Sequence, residues 1–371
     1  MPLPPSIRIA HIVSTFDIGG LENGIINLIN TMDHSEFDHS LYVLSGDAQA
    51  KDRFNRAIPV HTLHKRDGND PKTIFRLLKH YREYKPDIVR TYGWGSWLEG
   101  LISSKLYGNN SIIHSEHGYI AEQLGGIPSR RRIAQKLAAR FTDHIISVSE
   151  AISQTLINEV GIPSNKINTI INGVDTNRFT PGINHDLRQS LSIDENSIIL
   201  GTVARLDPIK DIASVIQALP ELSNIEYIIA GDGPEQSRLE QLAQELKVAK
   251  RVHFLGKRSD IPDLMKIFDI FIIPSIKEGT SNTLLEAMAT ACPVIATHTG
   301  GTPDIIAHNE TGILIPPQSP ESTISAVTEM SSNPNRRLAL GKQARKHIVD
   351  KWSLDLMVEK YESLYHHAIK Q

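Results

Sequence analysis

Short runs of β-branched and aliphatic residues alternate along the first half of the chain with segments whose apolar residues recur at helical spacing. The run IRIAHIVS at 7–14 predicts a strand, and the segment GGLENGIINLINTM that follows predicts a helix with Ile25, Ile26 and Ile29 on one face. Strands that alternate with amphipathic helices are typical of a parallel sheet covered by helices. We therefore predict an α/β domain, with further strands at SLYVLS, DIVRTY, SIIHSE and HIISVS and further helices that begin near Pro71, Trp94, Arg130 and Glu150.

The same alternation starts again in the second half of the chain. The segment INTIINGVDTNRFTPG at 167–182 contains Asn-Gly, Thr-Pro and Pro-Gly pairs, which predict a linker. We therefore predict two similar α/β units, 1–178 and 179–353. Ligands bind outside the carboxyl ends of the strands in open α/β sheets, so two such sheets facing each other would enclose a cleft. The predicted strands of the second unit lie in SIILGTVARL, IEYIIAGDGP, RVHFLG, DIFIIPS and PVIAT, and its helices begin near Ile212, Glu235, Ile261, Thr283 and Pro303.

Length, composition and charge narrow the class of protein. The chain has 371 residues, of which 40% are hydrophobic and 22% charged, which is ordinary for a soluble globular protein of two domains. Its formal net charge of −3 lacks the basic excess of general nucleic-acid binders. We therefore predict no nucleic-acid partner.

The start of the chain and its single cysteine indicate a compartment. Prolines within the first five positions argue against a signal peptide, and the longest apolar runs, such as IFDIFIIPSI, are far too short to cross a bilayer. Cys292 is the only cysteine, so no intrachain disulfide can form; it is expected to fill a small gap in the core. These features predict a cytoplasmic protein and leave open contact with the inner face of the membrane.

Glycine or charged residues follow nearly every predicted strand of the second half. Because the carboxyl ends of parallel strands meet at one edge of a sheet, we expect these residues to lie together. Two cations after the first of these strands favour a site for a large anion such as a nucleotide diphosphate. The residues are Arg205 and Lys210, the turn Gly231–Pro234, Lys257 and Arg258, Lys277 to Gly279, and Gly300 with Gly301.

The stretch EGTSNTLLEAMA at 278–289 supplies other groups that a nucleotide sugar needs. Arg205 offers a forked donor to phosphate and Lys210 a mobile point charge, while the helix that starts after Glu278 offers unpaired N–H groups and a positive dipole end. A carboxylate accepts hydrogen bonds from two adjacent sugar hydroxyls, so Glu278 and Glu286 are each expected to bind one sugar ring. The small residues that let a ligand approach this backbone are Gly279, Thr280, Ser281 and Asn282.

These features also have structural interpretations. The segment TLLE at 283–286 matches a capping box, with Thr283 as the N-cap and Glu286 at the third helical position. Arg205 and Lys210 could equally be surface charges. Taken alone, the four residues of the box favour the cap, whereas the combination of all the strand-end features favours the site.

Together these motifs resemble family 4 of the retaining glycosyltransferases, whose GT-B fold consists of two facing, doubly wound, Rossmann-like domains. The resemblance covers almost the whole chain, and its most specific element is the pair Glu278 and Glu286, which seven residues separate. The segment GGLENGIINLIN looks similar to sugar transferases of bacterial exopolysaccharide clusters. The other matching motifs are Gly19-Gly20 with Glu22, His117-Gly118, VSE at 148–150, NGVD at 172–175, Arg205 with Lys210, GDGP at 231–234, FLG at 254–256, and PVIAT followed by Gly300-Gly301.

The resemblance implies a role for individual residues. Glu286 would bind the nucleotide ribose, and Glu278 would contact hydroxyls of the donor sugar. Arg205 and Lys210 would neutralise the leaving diphosphate, and His117 would lie near the reacting sugar. The other donor-binding residues that it implies are Gly19 and Gly20 at the phosphates, Gly256, Lys257 and Arg258 at the base, and Gly279, Thr280, Ser281, Asn282 and Thr283 at the start of the helix.

The implied reaction is transfer of a hexose-type sugar, with retention of its anomeric configuration, from a UDP- or GDP-sugar to a glycan or lipid-linked acceptor. No Asp-x-Asp pair occurs in the chain, in keeping with cationic side chains rather than a metal at the diphosphate, and no cofactor is expected. Many relatives have Phe-Gly after the first glutamate and glycine, whereas this chain has Thr280-Ser281, so the donor sugar stays open. The helical segment 354–371 is implied to return to the first domain.

Two further groups of residues have competing interpretations. His114 and His117 are three residues apart, but without a carboxylate or cysteine partner they make a poor zinc site, and a structural histidine at a strand end is the ordinary alternative. Tyr92, Trp94 and Trp97 follow a strand and either stack on an acceptor sugar or belong to the core. The resemblance favours a site role for His117, and both interpretations stay open for the aromatic residues.

The segment SRRRIAQKLAARF at 129–141 has three arginines at the head of an amphipathic stretch. A solvated helix face is the ordinary interpretation of such a stretch. Contact with anionic lipid or with a lipid-linked acceptor is the alternative.

Proteins with other functions also have two α/β domains of this kind. A nicotinamide dehydrogenase requires Gly-x-Gly-x-x-Gly at its first helix, and DIGGLENG lacks that spacing. A nucleotide-sugar epimerase of the same two-domain plan is the nearer alternative, and it would release no free nucleotide in steady turnover with an acceptor. A sugar-binding protein without activity is the third.

Overall fold

The chain folds into two compact units. The computed structural model describes residues 6–17, 19–68, 70–108, 110–118, 126–191, 193–194 and 196–370. Unit 1 contains the described residues of 1–118, 126–172 and 354–371, and unit 2 contains those of 173–353. The division therefore follows residue 172, earlier than the boundary at 178 that the sequence suggested.

The described part of unit 1 contains the strands β1 (Ile7–Val13), β2 (Phe37–Val43), β3 (Val60–Thr62), β4 (Ile88–Tyr92), β5 (Ser111–Glu116), β6 (His144–Ser147) and β7 (Ile167–Thr169). They form one parallel sheet in the order β3-β2-β1-β4-β5-β6-β7. The prediction that 167–182 is a linker throughout is wrong, because Ile167 pairs with Ile145 and adds β7 to the sheet. Both β3 and β7 have three residues, too few to show a hydrophobic alternation in the sequence.

Helices cover both faces of this sheet: α1 (Gly20–Thr31), α2 (Pro71–Tyr84), α3 (Trp94–Tyr107), α4 (Ser129–Arg140) and α5 (Glu150–Thr155). Crossovers between parallel strands are right-handed as a rule, which puts α1 on one face and α2, α3 and α4 on the other. In agreement with this, α2 packs against α3 and α3 against α4. Side-chain caps fix two of the helix starts. Asp70 accepts from the N–H of Lys72 at 3.1 Å before α2, and Ser149 accepts from the N–H of Ile152 at 3.3 Å before α5.

The described part of unit 2 repeats the plan with the strands β8 (Ile198–Val203), β9 (Ile225–Ala230), β10 (Val252–Phe254), β11 (Ile270–Ile273), β12 (Val294–Thr297) and β13 (Ile313–Ile315). These are parallel and lie in the order β10-β9-β8-β11-β12-β13. Its helices are α6 (His185–Ser190), α7 (Ile212–Ala218), α8 (Gln236–Glu245), α9 (Ile261–Met265), α10 (Asn282–Ala289), α11 (Thr302–Ile305), α12 (Pro320–Ser332) and α13 (Pro334–Lys351). Apolar side chains of the strands and of α7, α8 and α12 form one hydrophobic core.

The last helix, α14 (Leu354–Ala368), belongs to unit 1 and packs against α1. Its apolar side joins the core of that unit. Arg90, fully buried in β4, donates from Nη1 to the hydroxyl of Tyr365 at 2.5 Å. The guanidinium also lies over the rings of Tyr361 and Tyr92, 4.3 and 4.6 Å from the ring centroids. Arg90, in a central strand of the sheet, therefore contacts α14 through both a hydrogen bond and a cation–π interaction.

Candidate functional site

The carboxyl ends of the unit 2 strands bring the predicted strand-end residues to one edge of the sheet. Backbone hydrogen bonds join the loops there: Leu206 N–H donates to the carbonyl of Asp232, and Ile276 N–H to that of Ile209, each at 2.8 Å. The loops after β8, β9 and β11 are therefore fixed relative to one another. The chain runs from β8 to β9 in one direction and returns to place β11 on the other side of β8. Open α/β sheets form ligand sites at such a switch point.

Lys210 and Glu278 meet at this switch point. The Lys210 ammonium donates to Glu278 Oε2 at 2.6 Å, and Ser275 Oγ donates to the same oxygen at 2.9 Å. The side chains of Lys210 and Glu278 are 25% and 11% exposed, so water screens their interaction only in part. A positive charge is thus held at the end of β8, beside the backbone that leads into α10.

Arg205 lies in the same loop as Lys210 but contacts a different carboxylate. Its Nε is 3.1 Å from Asp207 Oδ2, and 72% of its side chain is exposed. An exposed ion pair contributes little to stability, so the guanidinium can turn toward an incoming anion at small cost. The structure therefore places both predicted cations in one loop, with Lys210 held by a carboxylate and Arg205 at the surface. The surface position of Arg205 also fits its interpretation as an ordinary surface charge.

The start of α10 corrects two predictions. Ser281, not Thr283, is the N-cap residue, because its Oγ accepts from the N–H of Leu284 at 3.3 Å. Serine caps a helix as well as threonine does, so the earlier hydroxyl starts the helix two residues sooner than the box requires. With Asn282 as the first helical residue, Glu286 is the fifth and lies in the second turn. The capping box is therefore wrong, and so is the placement of Glu286 at the third helical position.

A glycine after β12 fixes the backbone of Glu278. Gly301 N–H donates to the carbonyls of Glu278 and Gly279 at 3.2 and 3.0 Å. Gly300 has a φ of +53°, and a Cβ there would lie 1.6 Å from the Glu278 carbonyl oxygen. Gly231 is placed similarly, with its Cβ position 1.9 Å from a backbone oxygen of the β8 loop. These glycines thus allow the loops of this edge to approach one another closely.

We expect Gly300→Ala to lower the free energy of unfolding by at least about 2 kcal/mol, because it adds left-handed strain and a clash with the backbone of Glu278. Gly256→Ala is the matched control. Gly256 has a φ of +63°, but nothing lies within 4 Å of its Cβ position, so only the conformational cost of about 1 kcal/mol applies. Urea unfolding measures the difference, and equal destabilisation would show that Gly300 does not fix Glu278.

The loop after β10 directs its two cations to nearby carboxylates. Lys257 Nζ lies 3.1 Å from Asp232 Oδ2, where both side chains are exposed. Arg258 donates from Nε and Nη2 to the two oxygens of Asp260 at 2.8 and 2.5 Å. The bidentate pair orients the guanidinium more firmly than the single contact orients Lys257. That this loop, with Gly256, faces a nucleotide base stays a prediction.

Gly19 and Gly20 start α1 in unit 1. Gly19 is the N-cap residue, and a Cβ on it would lie 2.6 Å from Glu22 Oε2. Glu22 is buried, and desolvation raises the pKa of its carboxyl. The carboxyl thus folds back over the start of its own helix, where the dipole is positive. The approach of Gly19 and Gly20 to donor phosphates stays a prediction.

His117 follows β5 at the carboxyl edge of the unit 1 sheet. Its ring centroid lies 5.5 Å from that of Tyr92, and its buried Nε2 has no hydrogen-bond partner among the described residues. Burial, and then the neighbouring Arg90 and His114, lower the pKa of His117 to about 3, so the ring is neutral at neutral pH. A neutral imidazole can donate or accept a hydrogen bond with a sugar hydroxyl. Its role near the reacting sugar stays a prediction.

Two of the three aromatic residues considered for acceptor stacking belong to the core. Trp97 is fully buried and stacks on His114 with ring centroids 3.7 Å apart. Tyr92 is also buried, and its hydroxyl is 2.6 Å from the Nδ1 of a buried histidine. Acceptor stacking is therefore wrong for Tyr92 and Trp97, because both rings already have partners in the interior. Trp94 is half-buried, with the Arg131 guanidinium 5.4 Å from its ring centroid.

Three further predictions concern the single cysteine, a metal site and a membrane-spanning helix. Cys292 is buried with its Sγ 3.5 Å from the carbonyl oxygen of Phe268, and desolvation raises the pKa of the thiol. Within the described ranges, no group of three or more His, Cys, Asp or Glu is arranged to bind a metal ion. No helix in that same part of the chain has both the length and the apolar character needed to span a membrane.

Sequence reasoning did not identify Ser275 or Arg90. Ser275 is fully buried and precedes Glu278 by three residues, so the Ser-x-x-Glu spacing after a strand was the available signal. Arg90 is a charged residue inside an otherwise apolar strand, DIVRTY, which marks it as unusual. Neither signal specifies the partner, because Lys210 and Tyr365 come from distant parts of the chain.

Two family models match the chain and together cover most of it. The model described as Glycosyltransferase Family 4 matches residues 18–178. The model described as Glycosyl transferases group 1 matches residues 184–347. The second match lies entirely within unit 2.

Individual proteins match over nearly the full length. The UDP-Gal:alpha-D-GlcNAc-diphosphoundecaprenol alpha-1,3-galactosyltransferase of Escherichia coli is 28% identical in an alignment that covers 97% of this chain and 96% of that protein. Among solved structures, a glycosyltransferase from Rickettsia africae ESF-5 has a TM-score of 0.88 at 21% identity and covers 99% of each chain. HepE from Anabaena, solved in complex with UDP, has a TM-score of 0.86 at 22% identity and covers 97% of this chain and 100% of its own. At these identities the structural likeness shows a shared fold.

Proposed function

Because the chain belongs to glycosyltransferase family 4 and has the two-domain GT-B fold, we propose that it transfers a hexose-type sugar in polysaccharide or glycoconjugate synthesis. Its donor is a nucleotide diphosphate sugar, and its acceptor is a lipid-linked sugar or glycan. The name of the E. coli relative supports a UDP-sugar donor and a lipid-linked acceptor, and it supports transfer over epimerisation. A lipid-linked acceptor lies at a membrane, so the enzyme would work at the cytoplasmic face of the cell membrane.

The observation that carries this proposal is the Lys210–Glu278 pair at the switch point of the unit 2 sheet. The carboxylate holds the ammonium at 2.6 Å, which fixes a positive charge where a diphosphate would bind. Arg205, exposed in the same loop, would supply a second cation to that diphosphate. Glu286, on the second turn of α10, would accept hydrogen bonds from the ribose hydroxyls.

The proposed step breaks the bond between the anomeric carbon and the diphosphate oxygen, and the diphosphate leaves with the electron pair. The acceptor hydroxyl oxygen bonds to the same face of the anomeric carbon, and its proton passes to the departing phosphate oxygen. The anomeric configuration is thereby retained. Arg205 and Lys210 stabilise the charge that develops on the diphosphate, which we expect to be the largest catalytic contribution. In this proposal the two cations supply the positive charge that other transferases obtain from a metal ion.

Two assays test the function. In thermal-shift screening of UDP-, GDP- and ADP-sugars, the true donor at about 100 times its Kd should add about 2.7 kcal/mol of stability. With a lipid-linked acceptor, free nucleotide should then appear in step with transferred sugar, and the product should keep the donor's anomeric configuration. Conversion of the donor sugar without nucleotide release would establish the epimerase instead, and inversion at the anomeric carbon would contradict the proposed step.

Glu286→Gln should weaken donor binding by roughly tenfold or more, because an amide replaces a charged acceptor of two ribose hydroxyls. Isothermal titration with the donor measures the change. Glu245→Gln, an exposed carboxylate of α8 in the same unit, is the control and should leave the affinity unchanged. An unaltered affinity in Glu286→Gln would show that this carboxylate serves the fold alone.

A further inference from the structure

Exposed apolar side chains concentrate on one layer of helices in unit 1. Of the ten large apolar side chains that are exposed among the described residues, six belong to α2, α3 and α4 or directly follow α4. Because α2 packs against α3 and α3 against α4, the six lie on one side of the sheet. A gathering of exposed apolar side chains marks a contact surface. They are Phe75, Ile102, Leu106, Ile133, Leu137 and Phe141, with exposed fractions between 43% and 70%.

Three of these side chains form what we name the α4 ridge: Ile133, Leu137 and Phe141. Residues four apart on a helix are neighbours on its surface, so the three form a continuous apolar line along α4. Exposed basic residues lie on the same half of the helix circumference, as the helical spacing requires. They are Arg130, Lys136 and Arg140.

The layer of helices that carries the ridge is strongly basic. Together α2, α3 and α4 contain ten Lys and Arg residues and two Glu residues, a net charge of +8, whereas the whole chain has a net charge of −3. The positive charge of this chain is therefore concentrated on the surface where its apolar side chains are also exposed. An apolar line flanked by Lys and Arg is the pattern of helices that lie in the interface of an anionic bilayer.

We infer that the α4 ridge, with Arg130, Lys136 and Arg140 beside it, docks this enzyme on an anionic lipid bilayer. The ridge would enter the boundary between headgroups and acyl chains, and the basic side chains would pair with lipid phosphates. A second copy of the chain fits this surface poorly, because a symmetric contact would bring two faces of like charge together. Nucleic acid would match the charge but would leave the ridge without an apolar partner. The inference rests on the proposed function for its purpose, since a lipid-linked acceptor is presented at that surface.

Sedimentation with large unilamellar vesicles tests the inference, with the full chain and without donor or acceptor. The protein should pellet with vesicles of phosphatidylcholine and phosphatidylglycerol in equal parts, remain in solution with phosphatidylcholine alone, and dissociate as salt rises. The triple variant Ile133→Ser/Leu137→Ser/Phe141→Ser should bind roughly tenfold or more weakly. The triple variant Arg130→Gln/Lys136→Gln/Arg140→Gln should bind roughly 100-fold more weakly.

The matched control is Ile183→Ser/Leu338→Ser, which removes two exposed apolar side chains of unit 2 and should leave vesicle binding unchanged. Equal binding to both vesicle types, or full binding by the ridge variant, would overturn the inference. A native chain that forms a dimer and does not bind vesicles would also overturn it, if the ridge variant abolished that dimer.

The thermal shift that the donor causes in the same variants separates the two proposals. Absent vesicle binding with intact donor binding refutes only the docking, and absent donor binding with intact vesicle binding refutes only the transferase.

Discussion

Lys210→Ala should lower the turnover number for sugar transfer by roughly 10²–10³ while the fold is kept. The reason is that Glu278 holds the Lys210 ammonium at 2.6 Å, at the switch point where the leaving diphosphate gains charge in the proposed reaction. A donor that acts mainly on developing charge lowers kcat more than it changes KM. Steady-state kinetics with saturating acceptor therefore separates this role from a simple contribution to donor binding.

Lys266→Ala is the matched control for this experiment. Lys266 lies in the same unit, its side chain is 24% exposed, and it pairs with Asp263 at 3.2 Å, so it resembles Lys210 in burial and in having a carboxylate partner. It lies directly after α9, outside the loops at the strand ends, and its loss should change turnover by less than about twofold. If Lys210→Ala turned over like Lys266→Ala, the electrostatic role of Lys210 would be refuted.

Glu278→Ala should reduce kcat/KM by roughly 10²–10³, because one change removes the proposed contact to the donor sugar and the carboxylate that positions Lys210. Glu278→Gln keeps an oxygen for Ser275 and Lys210 but removes the charge, so a smaller loss of roughly tenfold to 100-fold is expected. Ser275→Ala should cost about tenfold at most, since it acts only through Glu278. Measurement of kcat/KM for the three variants at one temperature should show the largest loss in Glu278→Ala, a smaller loss in Glu278→Gln and the smallest in Ser275→Ala.

Loss of stability has to be separated from loss of catalysis in these variants. Glu278→Ala leaves the buried Ser275 hydroxyl without its acceptor, which costs about 1–3 kcal/mol of unfolding free energy. Glu226→Ala is the control, because Glu226 Oε2 lies 2.7 Å from His253 Nε2 in the same unit and the Glu226 side chain is 18% exposed. Its loss should lower stability without lowering kcat/KM, and equal kinetic losses in both variants would assign the effect to folding.

The α/β architecture was predictable because each buried parallel strand is a short apolar run with turn-forming residues at both ends. The strands β1, β4, β5, β8, β9 and β11 have this character, and every helix start predicted in the first half agrees with the structure to within one residue. The three-residue strands β3, β7 and β13 were not predicted, since pairing with a longer neighbour stabilises them and their own pattern does not. The three-residue strand β10 was predicted, because it lies in the run RVHFLG. The linker prediction failed at β7 for that reason.

The sequence predicted which loops carry the candidate site residues, but it did not predict the contacts among their side chains. The rule that parallel strands end at one edge placed Arg205, Lys210 and Glu278 together, and it follows from topology alone. Which cation meets which carboxylate depends on side-chain reach, so the Lys210–Glu278 pair and its third member, Ser275, emerged only from the structure. The helix start at Ser281 was missed because several hydroxyl residues in a row can each serve as the cap.

Burial decided between two interpretations that the sequence left open for Tyr92 and Trp97. Tyr92 and Trp97 carry the same local signal whether they stack on a sugar or fill the core, and only the packing of β4 and α3 shows that they are interior. The basic segment at 129–141 is the opposite case. Its arginines were visible in the sequence, but the exposure of Ile133, Leu137 and Phe141, on which the proposed membrane docking rests, is a property of the fold.

A crystal structure of the full chain with its nucleoside diphosphate tests the central claim most directly. The account predicts diphosphate oxygens within hydrogen-bond distance of Arg205 and Lys210, and ribose hydroxyls within that distance of the Glu286 carboxylate. A diphosphate bound away from the carboxyl ends of β8 and β11, with the 2.6 Å contact between Lys210 and Glu278 undisturbed and Arg205 still turned to Asp207, would contradict it.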